Sequence, residues 1–351
     1  MTSREAKSRS EQYAAFRPHL LAWYDAHARD LPWREDHDPY RVWLSEIMLQ
    51  QTRVGAVIAH YREFLRRFPS VEKLAAARET SVLAAWSGLG YYRRARMLHA
   101  AAKAVVREHG GKFPATSKEL LALPGVGRYT AAAIASIAFG EPVAVVDGNV
   151  ERVLQRVSGK RLGAEKLWDA AEKLLDRDRP GDFNQAMMEL GATVCAPRAP
   201  ACLTCPVLEL CATRGELDGG KKAAPQKKRE ICYALDMRGA ARGAGKIFLV
   251  QRPPEASLMA GMWELPEIAR PADRARPDVM VRHSITVTDY TVRVWRAPAP
   301  KRVRGKLVAV DRLARVALTG LARKILRKAE ILQDARGTAN KHSTHLTQET
   351  S

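Results

Sequence analysis

The sequence predicts two domains of different class: an all-α domain over residues 10–212 and a smaller α+β domain over residues 231–330, joined by a basic linker at 213–230. Three observations lead there. Apolar residues recur at helical spacing throughout the first 212 residues, while strand-like stretches begin only beyond the linker. Four of the five cysteines fall within residues 195–211, in one loop at the end of the helical part. And 351 residues exceed the roughly 150 expected of one domain.

In the first part, Asp38-Pro39 opens a helix well, because Asp is a good N-cap and Pro suits the first helical position. Trp43, Ile47 and Val54 follow as an apolar stripe. A second such start lies at Asp147-Gly148-Asn149, followed by Val150, Val153, Leu154 and Val157. Pro69, Gly88-Leu89-Gly90, Gly110-Gly111 and Pro124-Gly125 punctuate the rest. The linker, with Lys221-Lys222 and Lys227-Lys228-Arg229, is too polar to bury a core. Beyond it, 231–237, 246–251 and 291–295 read as strands and 318–326 as a closing helix. Residues 331–351 are polar and expected to be disordered.

The net charge is +20. Residues 1–212 carry 30 basic and 24 acidic side chains, a net of +6, and residues 213–351 carry 28 and 14, a net of +14. Such a balance suits a polyanionic partner, nucleic acid above all, although a basic solubility tail gives the same count. No run approaches the roughly 20 apolar residues of a membrane span, and the N-terminus leads into no signal-peptide core. A soluble monomer in the cytoplasm, nucleoid-associated in a bacterium, with no membrane partner, is the expectation.

Three constellations carry chemistry. Cys195, Cys202, Cys205 and Cys211 place four thiols in 17 residues. Such clustering differs from a secreted disulfide framework and suits a metal in a reducing compartment. Four soft ligands fit zinc or an iron–sulfur cluster, and one loop with a single tight pair favours the iron–sulfur reading, since structural zinc more often uses two separate knuckles. The fifth, Cys232, reads as a small buried hydrophobe. Second, Leu123-Pro124-Gly125-Val126-Gly127-Arg128-Tyr129 forms a glycine hairpin before a helix, where amides at Gly125 and Gly127 can meet a phosphate. An ordinary helix–turn–helix corner has the same residues. Third come two carboxyls. Burial beside Trp43 and Ile47 would keep Glu46 protonated, and the helix start would keep Asp147 ionised, giving the acid and anion that glycoside cleavage uses. Taken alone, a plain cap is the better reading of Asp147 and a solvated helix position that of Glu46.

The order of these motifs changes the balance. Leu31-Pro32-Trp33-Arg34, Trp43–Val54 with Gln50-Gln51-Thr52, Gly88–Tyr92, the 123–127 hairpin, Val146–Val150, Asn184–Gly191 with Glu189, and the cysteine loop together resemble the helix–hairpin–helix DNA glycosylases, and among them the MutY-type adenine glycosylases. The resemblance covers residues 31–211. It implies base excision repair of adenine opposite 8-oxoguanine or guanine in duplex DNA, with one 4Fe–4S cluster on the four cysteines. It implies that Glu46 protonates adenine at N7 and that Asp147 stabilises the oxocarbenium-like sugar, with or without a transient covalent bond. Tyr129 and Asn149 would support that site, and Arg34 and Glu189 would contact the flipped base. Leu49, Gln51 and Tyr91 would wedge at the opposite base, with Thr52 on the same DNA-facing stretch. Tyr129 stands where bifunctional, endonuclease III-like relatives carry a Schiff-base lysine, so the resemblance implies a glycosylase without strand cleavage. A bifunctional enzyme for damaged pyrimidines and a non-catalytic iron–sulfur DNA-binding protein are the alternatives.

The second domain resembles a MutT-like, Nudix-fold domain through Leu249–Pro253 and Leu258–Pro266. Gly261 and Glu267 begin the Nudix box, but Ala275-Arg276-Pro277-Asp278-Val279-Met280 stands where its carboxylate run should follow. Without those oxygen ligands Mg²⁺ has no site, so recognition of 8-oxoguanine rather than hydrolysis is implied. The family's Phe-Ser-His loop aligns with Ile285-Thr286-Val287. Thr286 keeps a hydroxyl for the damaged base, and Val287 lacks the imidazole.

Overall fold

The computed structural model describes residues 3–217, 226–239, 245–272, 276–285 and 288–332. The chain divides into two compact units, Met1–Ala77 with Arg96–Lys222, and Arg78–Ala95 with Ala223–Ser351. The segment 78–95, which the sequence places inside the helical domain, thus belongs to the second unit. Among the described residues no helix is long and apolar enough to cross a membrane.

The helices run α1 (Ser3–His27), α2 (Pro39–Leu49), α3 (Val54–Arg67), α4 (Val71–Ala75), α5 (Glu79–Trp86) and α6 (Arg93–His109). They continue as α7 (Ser117–Leu120), α8 (Arg128–Phe139), α9 (Gly148–Ser158), α10 (Ala164–Leu174) and α11 (Pro180–Thr193). Asp38 caps α2, accepting from the Arg41 amide at 2.9 Å, with Pro39 in the first position. The stripe read through Trp43, Ile47 and Val54 is broken. Trp43 and Ile47 are buried in α2, which ends at Leu49, and Val54 opens α3. Helix α8, Arg-Tyr-Thr-Ala-Ala-Ala-Ile-Ala-Ser-Ile-Ala-Phe, buries Thr130 through Ile137 without a break, as a helix apolar on every side must. It packs against α2, α7 and α11, and Gly140 ends it in the left-handed region at φ 71°. Two glycines let α11 lie close to its neighbours. A Cβ on Gly191 would meet Asn149 Cβ at 2.6 Å, and one on Gly181 would meet the Ser136 carbonyl oxygen at 2.7 Å.

The second unit contains β1 (Lys227–Ala234), β2 (Met237–Arg238), β3 (Lys246–Gln251), β4 (Trp263–Glu264), β5 (Val279–Ile285), β6 (Thr288–Trp295), β7 (Lys306–Ala309) and α12 (Gly320–Lys328). One sheet has the order β1-β6-β5, with β1 parallel and β5 antiparallel to β6. In the other, β3 pairs with β2, β4 and β7. Tyr233, Leu235, Ile247, Leu249, Val292 and Val294 share one core with Leu318, Leu321, Ile325 and Leu326. Two sequence expectations are corrected here. Residues 227–230, assigned to the linker, are strand: Lys227 to Glu230 pair with Thr288 to Thr291. Their side chains are exposed, so backbone pairing rather than apolar pattern makes the strand. The short strands β4 and β7 and the seven-residue β5 escaped the pattern reading altogether.

Gly191→Ala should destabilise the chain by about 1–3 kcal/mol, because the new methyl overpacks the α9–α11 seam. Gly55 in α3 has nothing within 4 Å of a built Cβ, so Gly55→Ala should be neutral or stabilising by up to about 1 kcal/mol. Denaturant unfolding of both variants checks the contrast.

Candidate active site

Helix α2 presents Glu46 on its buried face, 6% exposed. The Tyr129 hydroxyl, from the first turn of α8, donates to Glu46 Oε2 and lies 3.3 Å from Met188 Sδ. Burial pushes the Glu46 carboxyl up to about 7. The Tyr129 hydrogen bond pulls it down, the Asp147 charge pushes it up, and the Arg34 charge lowers it. A carboxyl at that value is half protonated near neutral pH, as a general acid needs to be.

Asp147 is the N-cap of α9. Its Oδ1 accepts from the amides of Asn149 at 2.8 Å and Val150 at 2.7 Å, and its Oδ2 accepts from Asn149 Nδ2 at 2.9 Å. Three donors and the helix N-terminus hold one carboxylate. Asn149 is itself fixed, its Oδ1 accepting from Arg152 Nη2 at 2.8 Å. Arg152 also donates to the carbonyls of Gly191 at 2.6 Å and Cys195 at 2.7 Å.

Glu189, 1% exposed, gathers two guanidinium groups. Arg29 donates to both its oxygens at 2.5 and 2.8 Å, and Arg34 Nη2 donates to Oε2 at 2.9 Å. Burial alone would raise this carboxyl, but the hydrogen bonds and charges of Arg29 and Arg34 outweigh it and hold it below its usual range. Arg34 Nε is buried without a hydrogen-bond partner. Arg29 had no sequence signal; it is one arginine among many until the fold sets it on Glu189. Arg152, Arg156 and Met188 were missed for the same reason.

In the hairpin, the Val126 amide donates to the Leu123 carbonyl at 3.1 Å. Gly125 sits at φ 74°, and a Cβ there would meet Met97 Cβ at 2.4 Å. Gly127 is the N-cap of α8, and no side chain caps that helix. Arg128 lies over the Trp168 ring at 4.0 Å. At the C-terminal end of α2, past Leu49, Gln50 Nε2 reaches Thr130 Oγ1 at 3.3 Å, the Thr52 amide donates back to the Leu49 carbonyl, and Gln51 is exposed at φ 54°. In the second unit Tyr91 is 51% exposed at φ 45°. For residues other than glycine this region costs of order 1–3 kcal/mol each, and it turns up here at two of the three wedge residues that the resemblance implies. Thr286 lies outside the described residues.

Two short 3-10 turns, Cys202–Thr204 and Leu208–Leu210, shape the cysteine loop. Burial pushes the Cys205 thiol up to about 11, and Cys195, Cys211 and Cys202 are close enough to add to the shift. Arg156 Nη1 donates to Cys195 Sγ at 3.3 Å, and the Arg214 amide to Cys211 Sγ at 3.4 Å. Among the described residues no three Cys, His, Asp or Glu groups are yet drawn to metal-binding distance. Even so, four neighbouring free thiols with N–H donors aimed at their sulfurs fit a group that needs thiolates.

The family of HhH-GPD superfamily base excision DNA repair proteins matches residues 44–181, and this chain belongs to that superfamily. It is 34% identical over 318 residues to the adenine DNA glycosylase of Schizosaccharomyces pombe, covering 72% of this chain and 69% of that one. It is 39% identical to the adenine DNA glycosylases of Rattus norvegicus and Homo sapiens over 82% of its own length. The chain spans 65% and 62% of those two proteins. Among solved structures, a thermostable thymine-DNA glycosylase matches with a TM-score of 0.56 and 33% identity, over 59% of this chain and 98% of that one. A non-covalent endonuclease III–DNA complex shares the fold at a TM-score of 0.50 and 23% identity, over 61% of this chain and 97% of that one.

Glu46 yields a pH signature. Its folded-state value is raised, so its stabilising contribution is full below the ordinary carboxyl range and is lost as pH rises through about 7. The loss is on the order of 3 kcal/mol. Glu46→Gln should therefore be more stable relative to the parent at pH 8 than at pH 5. Tyr129→Phe, lacking the donor to the carboxylate, should move the Glu46 titration further upward, as followed by carbon NMR of the carboxyl.

Proposed function

We propose that this chain is an adenine DNA glycosylase that hydrolyses the N-glycosidic bond of adenine mispaired with 8-oxoguanine or guanine and leaves the strand uncut. The observation that carries this reading is a pair of carboxyls in different settings: Glu46 buried and raised to about 7, and Asp147 held by three donors at a helix start.

A base must leave the stack before its glycosidic bond can be reached, at a cost of a few kcal/mol. Leu49, Gln51 and Tyr91 offset that cost by filling the gap at the opposite base, and the Gly125–Gly127 amides grip a phosphate. Arg34 and Glu189 meet the polar edge of the adenine. Glu46 gives its proton to N7, so the base departs neutral as the C1′–N9 bond breaks. Asp147 faces the positive charge that develops on the sugar, and water completes the hydrolysis at C1′. Asn149 fixes the Asp147 carboxylate. The Tyr129 phenol is committed to Glu46 and has no amine for a Schiff base, which favours the monofunctional course. Cys195, Cys202, Cys205 and Cys211 hold one 4Fe–4S cluster, which when bound ties the loop after α11 into a rigid element. The second domain adds non-specific attraction to the phosphate backbone and a surface for the damaged base, where Thr286 supplies the hydroxyl.

A second reading, removal of thymine, is favoured by the likeness to the thymine-DNA glycosylase. Single-turnover assays on adenine·8-oxoguanine, adenine·guanine and thymine·guanine duplexes separate the two. Adenine release without nicking is the expected result; thymine release alone would replace the proposal with its rival.

Glu46→Gln should slow release by about 10²–10⁴, the usual contribution of a general acid, while duplex binding survives. Asp147→Asn should be similarly impaired although Asn caps a helix as well as Asp does; near-parental activity would return Asp147 to a capping role. Anaerobically purified protein should carry four irons per chain and a broad visible absorption. Stoichiometric zinc would sink the cluster assignment.

A further inference from the structure

We propose that the buried carbonyl of Leu318, with the side chains of Ser87, Tyr92 and Arg323, forms a latch by which the α+β domain holds the Gly88–Tyr91 loop in shape. Ser87, Tyr92 and Arg323 are thus positioning residues for Tyr91. This rests on the preceding reading of Tyr91 as a wedge.

The residues all belong to the second compact unit. Ser87 Oγ donates to the Leu318 carbonyl at 2.8 Å, and the Tyr92 hydroxyl donates to the same oxygen at 3.1 Å. Arg323 Nε donates to Ser87 Oγ at 3.0 Å, and the Gly88 amide to the Tyr92 hydroxyl at 3.4 Å. Each hydroxyl thus both accepts and donates, and the Leu318 carbonyl accepts from both. Ser87, Tyr92 and Leu318 are 2%, 3% and 0% exposed, so the bonds are shielded from water, where a lost partner is costly.

The acceptor is itself fixed. Trp263 and Thr319 exchange backbone bonds around Leu318: the Trp263 amide donates to Ala317 and the Thr319 amide to the Trp263 carbonyl, both at 2.9 Å. Thr319 then caps α12, its Oγ1 accepting from the Ala322 amide at 3.1 Å, and Arg323 leaves from the first turn. The latch grips both ends of the six-residue span from Ser87 to Tyr92. Inside the span, Trp86 Nε1 donates to the Gly90 carbonyl at 3.1 Å, and the Arg94 guanidinium lies 5.4 Å from the ring centres of both Trp86 and Tyr91. Tyr91 stays exposed and left-handed in the middle. A strained backbone at an exposed aromatic persists only where its surroundings over-determine it, and the latch provides that determination. A loop tied at both ends enters a duplex without first ordering itself, so the cost of immobilising it is already met in folding.

The test uses full-length protein with Ser87→Ala, Tyr92→Phe, Tyr91→Ala and the double variant Tyr91→Ala/Tyr92→Phe. The first two should release adenine from an adenine·8-oxoguanine duplex roughly fivefold more slowly, the factor of one lost hydrogen bond. On a duplex with adenine opposite an abasic site, where no pair has to be opened, they should stay close to the parent. A merely structural role would slow both substrates alike. The double variant should be no slower than Tyr91→Ala, because the latch acts through that side chain. Equal slowing on both substrates, or additive losses in the double variant, overturns the latch. If the parent releases no adenine at all, the preceding reading has failed instead. The latch is then read by hydrogen exchange over residues 88–92: faster exchange in Tyr92→Phe upholds it and unchanged exchange overturns it.

Discussion

The hydrogen bond from Tyr129 to Glu46 ties α2 to the start of α8. Tyr129 belongs to the first turn of α8, directly after the Gly125–Gly127 hairpin, and Glu46 belongs to α2. The bond therefore fixes the acid relative to the element suited to gripping the phosphate. It also limits how far burial can raise the acid, since a donor to the carboxylate favours the charged form. A fully apolar neighbour would leave Glu46 a poorer proton donor, its pKa too far above neutral for ready transfer. Five of the twelve α8 residues are alanine, and such small side chains let α2 approach closely, so the site's geometry follows in part from side-chain size.

Much of the site was legible because its chemistry is local. Asp147 reads as a cap from Asp-Gly-Asn, and the structure makes it a cap with three donors. Glu46, for which its own surroundings in sequence favoured a solvated helix position, is buried; only the order of the motifs pointed that way. What escaped was whatever depends on partners distant in sequence. Arg29 meets Glu189 across 160 positions, and nothing near Arg29 announces it. The left-handed backbone at Gln51 and Tyr91 was equally hidden, since neither residue type favours it. In the second domain the pattern failed at Lys227–Glu230, where a strand is made by its neighbour's backbone and its own side chains face water.

Two buried glutamates of the helical unit show how environment separates like residues. Glu46 and Glu189 are both buried carboxyls. Burial raises Glu46 against the pull of the Tyr129 phenol, and two guanidinium groups lower Glu189 despite its burial. The first is thereby suited to giving up a proton and the second to accepting hydrogen bonds. Neither role is visible in the residue type; both come from the partners that the helices bring.

The bonds from Ser87 and Tyr92 to Leu318 span 231 and 226 positions. A ribosome adding about 5–20 residues each second needs on the order of ten to fifty seconds to cross that interval. Throughout that time α5 and the loop after it have emerged without the carbonyl that satisfies them, so the segment 78–95, which belongs to the second unit, completes its packing only once the C-terminal part is made. Contacts of such range slow folding and leave intermediates exposed. The nascent chain thus has an obligatory order of events, in which this short segment waits for nearly the whole of the remaining protein, and dependence on chaperones should be greatest during that interval.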